Sequence, residues 1–81
     1  MARVILPTDC GGFVLRETVL DLPATTIAEL LAGLDRLYPG LGAFADQRMA
    51  FAIDGVIHQD AHYTPLAPED EVALIPKIGG G

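Results

Sequence analysis

The atoms of this chain best placed to react lie at its end. Three of its nine glycines are the last three residues, Gly79, Gly80 and Gly81. Glycine has the most conformational freedom to lose and no side chain to bury, so a small domain gains no stability from such an ending. A frayed terminus or a remnant of cloning is the plain explanation, since chain ends are commonly poorly ordered. The chemical explanation is an end shaped to enter another protein's narrow site. Without Cβ atoms, backbone and terminal carboxylate approach a catalytic centre closely, at an ordering cost of about 1–2 kcal/mol per residue. The reactive group is then the α-carboxylate of Gly81, an anion at neutral pH. A carboxylate is a poor acyl donor and must be activated, for example as a mixed anhydride with AMP drawn from ATP. A sulfur nucleophile displacing AMP leaves a thiocarboxylate. The sequence offers no Gly-rich phosphate loop and no metal cluster for either step, so this polypeptide would be substrate and carrier rather than enzyme, with no cofactor of its own.

Other reactive side chains give weaker signals. Cys10 sits in Asp9-Cys10-Gly11 without a sequence neighbour that would lower a thiol pKa, so a small turn or core residue is the better expectation. His58, Asp60 and His62 hint at a metal, but they fall in a polar stretch without cysteine support, and solvated loop histidines are favoured. Lys77 is the only lysine and stands four residues before the end. It either meets an acid on a partner or is simply solvated.

Composition narrows the classes. The chain has 81 residues, 51% apolar and 20% charged, with mean hydropathy +0.39. It is too apolar for a disordered chain and long enough for one domain. Five basic against eleven acidic residues give a net charge of −6, which repels phosphate backbones and favours a basic docking surface on a protein partner. No nucleic-acid partner is therefore expected. A single cysteine fits a reducing cytoplasm. Neither a membrane-spanning run nor a signal peptide is expected.

The elements that must carry the tail follow from periodicity. Arg3 to Leu6 and Phe13 to Leu20 predict two strands joined by a short Gly11-Gly12 turn, a β-hairpin. Ile27, Leu30, Leu31, Leu34 and Leu37 share one helical face. Thr26 and Glu29 have capping-box spacing, and Tyr38-Pro39-Gly40 ends the helix. Gly33 within it suggests a close neighbour. Met49 to Ile53 predicts an apolar interior strand, Asp54-Gly55 a tight turn, and Val56 to His58 its return. Leu66 should anchor a polar loop, and Glu71 to Ile75 is the last strand, stopped by Pro76. The order β-β-α-β-β-β predicts an α+β domain over residues 1–78: a mixed sheet of four to five strands packed on one main helix, with 79–81 as a flexible glycine tail.

These segments together resemble the ubiquitin-like sulfur carriers of the MoaD/ThiS type. The resemblance rests on Thr26-Ile27-Ala28-Glu29-Leu30-Leu31, Tyr38-Pro39-Gly40-Leu41, Phe51-Ala52-Ile53-Asp54-Gly55, Thr64-Pro65-Leu66, Asp70 through Pro76, and terminal Gly80-Gly81. It implies the β-grasp (ubiquitin-like) fold. It also implies adenylation of Gly81 by an E1-like enzyme with ATP, thiocarboxylate formation through a sulfurtransferase or persulfide, and sulfur delivery to a synthase. Gly79 and Gly80 would enter the partner's site, and Lys77 would touch it. The Tyr38–Leu41 segment and the length look closer to the molybdopterin synthase small subunit, whose partner is the large subunit, than to the thiamin-pathway carrier. Asp54 stands where the family often has Asn, and Glu69 where it commonly has Gly, so Glu69 would be strained if that position needs positive φ. A ubiquitin-like modifier joined to lysines and a non-covalent binding module are the competing expectations. An exposed apolar patch rimmed by acids is the expected docking surface, with Phe51 and Leu74 as core or, if unburied, interface residues.

Overall fold

Strand alternation puts Ala2, Val4, Met49, Phe51, Ile53, Val72 and Leu74 on one face of a sheet, and all seven are buried. The computed structural model describes residues 1–8, 12–13, 15–58 and 62–76. In chain order they form β1 (Ala2–Ile5), β2 (Val19–Leu22), α1 (Ile27–Leu37), α2 (Leu41–Arg48), β3 (Met49–Ile53), β4 (Val56–His58) and β5 (Glu71–Pro76). The strands make one mixed sheet in the order β2-β1-β5-β3-β4. β1 and β5 run parallel at its centre, and the other neighbours are antiparallel. Ile27, Leu30 and Leu34 of α1 and Leu41 of α2, none of them exposed, join the strand residues in one core on the helical side of the sheet.

The helix α1 has the predicted start and stop. Thr26 is its N-cap, and its hydroxyl accepts from the Glu29 N–H at 3.2 Å. The return bond of the capping box shifts by one residue: the Glu29 carboxylate accepts from both the Thr25 hydroxyl (2.6 Å) and the Thr25 N–H (2.7 Å). Gly33 faces β2, where an added Cβ would meet Leu22 Cδ1 at 3.4 Å, an ordinary contact. The Asp54-Gly55 turn has positive φ at both residues, 48° and 85°, the geometry that suits a two-residue hairpin. Asp54 is the one described non-glycine with positive φ. Glu69 is therefore unstrained, its turn closed by Asp70, whose side chain accepts from the Ala67 N–H at 2.8 Å. Leu66 is 6% exposed, anchoring its loop as expected.

Two expectations are corrected. The second strand is Val19–Leu22, so Phe13 to Thr18 belong to a connection over residues 6–18 rather than to a tight hairpin. Their apolar side chains have another use: Phe13 and Leu15 pack on the core from the side, Phe13 against Phe44 with ring centroids 5.6 Å apart. The second correction is α2. A single helix was expected, yet the chain resumes a helix one residue after Gly40, whose φ of 92° turns the backbone. No side chain of its own caps α2. Asp35 of α1 does so instead, accepting from the Gly42 N–H at 2.8 Å. That bond joins two helices, so it has no local sequence signature.

Gly42 is where α1 and α2 touch. A Cβ there would collide with the Leu31 carbonyl oxygen, a backbone atom that cannot step aside, and would crowd Asp35 Oδ1 at 3.0 Å. Gly42→Ala should cost about 1–3 kcal/mol as overpacking, lowering Tm by roughly 5–20 °C for a domain of this size. Gly33→Ala meets only the flexible end of Leu22 and gains helix propensity, so its melting temperature should hold or rise. Thermal melts of the two variants check the contrast.

The Thr25 hydroxyl and then the Thr25 N–H hold the Glu29 carboxyl below its ordinary pKa. A depressed carboxylate pKa adds stability that is present above the unfolded value and lost as pH falls through the folded one. Glu29→Gln should therefore flatten the stability-against-pH slope below about pH 4.5 and leave it unchanged near neutrality, read by urea titrations across that range.

Candidate functional site

The expected site residues Gly79, Gly80, Gly81 and Lys77 lie outside the described residues, as do Cys10 and Asp60. The strand that leads to them is described in full. β5 is central, with β1 on one side and β3 on the other, and its last residue, Pro76, is in register with Met49 at the end of α2. On the other side β1 ends with Ile5 paired to Ala73, and the next residue, Leu6, donates its N–H to the Thr18 carbonyl at 2.7 Å. The end of β5 thus stands beside the α2–β3 junction, with Leu6 and Thr18 following the end of β1 on its other side.

Tyr38 holds that connection. Its phenol oxygen accepts from the Arg16 N–H at 3.0 Å. This hydrogen bond favours the phenolate and, against the opposing effect of burial, lowers the Tyr38 pKa from its usual value. Phe13 completes the anchor, lying 3.6 Å from the position a Cβ on Gly40 would occupy. The Tyr-Pro-Gly-Leu segment therefore does more than end a helix: it turns the chain, starts α2 and holds the connection beside the tail.

The face of the sheet opposite the helices carries an apolar row that crosses all five strands. Register aligns Val19 with Ile5, Ile5 with Ala73, Ala73 with Ala52, and Ala52 with Ile57. Val19 and Ile57 are exposed (51% and 60%), and the middle three are half-buried. Toward the tail the row is backed by Ile75 and Ala50, also in register. On its other side stand Asp21, Arg3 and Glu71, with Arg3 Nε 3.7 Å from Asp21 Oδ1. This is an apolar patch with acids along one edge, the feature expected of a docking surface. Phe51 and Leu74, 3% and 2% exposed, are core residues as expected and do not belong to it. Ala73 and Ile75, alternating with buried Val72 and Leu74, were the available signal.

The histidines are not brought together. His58 is half-buried at the end of β4, whereas exposed His62 lies beside Asp46 of α2, Nδ1 to Oδ1 3.4 Å. Among the described residues no three His, Cys, Asp or Glu side chains converge. The cleft between the helices, about 240 Å³ and lined by Leu31, Asp35, Gly42, Asp46 and His62 among others, is open and holds no nucleophile paired with a base. No helix among these residues is long and apolar enough to cross a membrane.

A five-stranded mixed sheet with its helices on one face, and its first and last strands parallel at the centre, is a β-grasp fold. The sequence matches the ThiS family over residues 8–81, nearly its whole length, so the chain belongs to that family. No curated protein matches it. The family assigns it the role of a sulfur carrier, non-catalytic itself, that works with E1-like adenylating enzymes and sulfur-accepting enzymes.

Loss of the Tyr38 hydroxyl should loosen the connection without unfolding the domain. Tyr38→Phe is expected to speed hydrogen exchange at the Arg16 amide by at least about tenfold. Amides of β1 and β5 should keep their wild-type protection; a general loss would mean that Tyr38 supports the core instead.

Proposed function

We propose that the Gly81 carboxylate is the sulfur-bearing group. It attacks the α-phosphorus of ATP on an E1-like enzyme, forming the acyl adenylate and releasing pyrophosphate. A persulfide sulfur from a sulfurtransferase then attacks the acyl carbon and AMP departs. Cleavage of the resulting acyl disulfide by a thiol leaves the thiocarboxylate and a disulfide. The thiocarboxylate passes its sulfur to a synthase, and the carboxylate returns. ATP is thus a substrate of the activating enzyme rather than a cofactor of this chain.

The observation that carries this reading is the family match, which extends through the terminal glycines. Two features of the fold support it. The tail follows a strand with neighbours on both sides, so a firm base presents a side-chain-free end. The apolar row beside it offers the activating enzyme and the synthase a flat surface to cover. For the pathway we favour molybdopterin, with the large subunit of molybdopterin synthase as acceptor. The Tyr38–Leu41 segment supports that choice, while the family match alone also accommodates thiamin or another sulfur pathway. The cytoplasm, where ATP and reducing thiols are present, is the compartment this chemistry requires.

Incubation with an activating enzyme, ATP and a sulfur source should add about 16 Da at Gly81, an acyl oxygen replaced by sulfur. Intact-mass and C-terminal fragment spectra read it out. Removing Gly80 and Gly81 should abolish the gain while leaving the melting temperature within about 2 °C, since glycine has no side chain to bury. Isopeptide adducts on other proteins instead of sulfur at Gly81 would favour the protein-modifier role. The thiocarboxylated chain should form product with a molybdopterin synthase large subunit and not with a thiazole synthase.

A further inference from the structure

The net charge of −6 is not spread evenly. Asp21, Asp54, Glu69, Asp70 and Glu71 gather where β5 begins, around a single cation, Arg3. At the end where the tail leaves the pattern reverses. Arg48 closes α2 immediately before Met49, the register partner of Pro76. Arg16 lies in the 6–18 connection, its N–H on Tyr38, two residues before the Thr18 carbonyl bonded to Leu6. Both arginines are exposed, and neither has an ion-pair partner among the described residues. Glu17 is the described acid beside Arg16, and Asp46 is already turned to His62. In the sequence Lys77 adds a further cation directly after Pro76.

The tail is short. Five residues follow Pro76, and at about 3.3–3.6 Å each they reach no more than roughly 18 Å. An enzyme holding Gly81 in its active site must therefore lie against this end of the sheet. Charges around its entrance then face this end of the sheet, where those within about one Debye length, roughly 8 Å at physiological salt, act on the guanidinium groups. We propose that Arg16 and Arg48 form a cationic collar around the base of the tail, which docks on a carboxylate-rich rim at the entrance of the activating enzyme. This rests on the carrier role of Gly81 and specifies the partner's surface. Arg48 also suits the negative end of the α2 dipole, a stabilising role that has no bearing on docking. Arg16 lies in no helix, so the dipole does not account for it.

The test is steady-state adenylation by the activating enzyme, followed as pyrophosphate release with the full chain as the varied substrate. Arg16→Glu and Arg48→Glu should each raise KM at least about fivefold and leave kcat within about twofold, as for a lost encounter charge. Arg36→Glu is the control. It makes the same change in net charge on the helical side, where Arg36 lines the cleft with Leu22 and Gly33, and should move KM less than about twofold. Arg48→Lys should restore most of the wild-type KM. Raising salt from about 0.05 to 0.3 M should weaken the wild type and leave the Arg16→Glu, Arg48→Glu double variant nearly unaffected. Equal effects of Arg36→Glu and Arg48→Glu, or a KM that stays flat or falls in the collar variants, would overturn the collar while the carrier role stood. A wild-type chain not adenylated at Gly81 would overturn both. Melting curves confirm that each variant is folded.

Discussion

The parallel pairing of β1 with β5 is the contact on which the rest of the molecule depends. It joins Arg3 to Glu71, Val4 to Val72 and Ile5 to Ala73, residues almost the whole chain apart. Everything between them must then travel out and back on the remaining edges. β2 pairs outward from β1, the helices cross one face, and β3 with β4 fill the other flank. A parallel neighbour cannot be reached by a tight turn, so the two helices are the material of the crossover as well as the lid of the core. The pairing also gives the sheet two distinct ends, one holding the start of β5 with its acids and the other the exit of the tail.

That arrangement separates stability from chemistry. The buried residues lie between the helices and the inner face of the sheet, and the described residues contain no buried polar or charged side chain. Nothing that another enzyme must handle draws on the core. Conversely, Arg16 and Arg48 are exposed, while Phe13 and Tyr38 near them pack on the edge of the core.

Much of this was legible in the sequence because it is local. Leucine spacing gave α1 within its observed limits, Thr26 and Glu29 marked its start, and Asp54-Gly55 gave the β3–β4 turn. The parts that were not legible depend on distant partners. α2 is weakly amphipathic and borrows its cap from Asp35, seven residues before Gly42. Phe13 to Thr18 look like a strand because apolar residues that pack on helix ends have the composition of residues that pair in a sheet. The members of the patch were not assignable for a related reason: an alanine-rich strand such as β3 reads as buried on both faces, whereas Ala52 on its second face is only half-buried. The terminal glycines suggested a carrier role by their chemistry, and the family came from the resemblance of ordered segments along the whole chain.

The centre of the outer face is made of alanines, Ala73 and Ala52, with Ala50 beside them. Around these small side chains stand the larger Ile5, Ile57, Ile75 and Val19. The relief of the patch is therefore set by its edge, and a protein that covers it would be told apart there rather than at the centre.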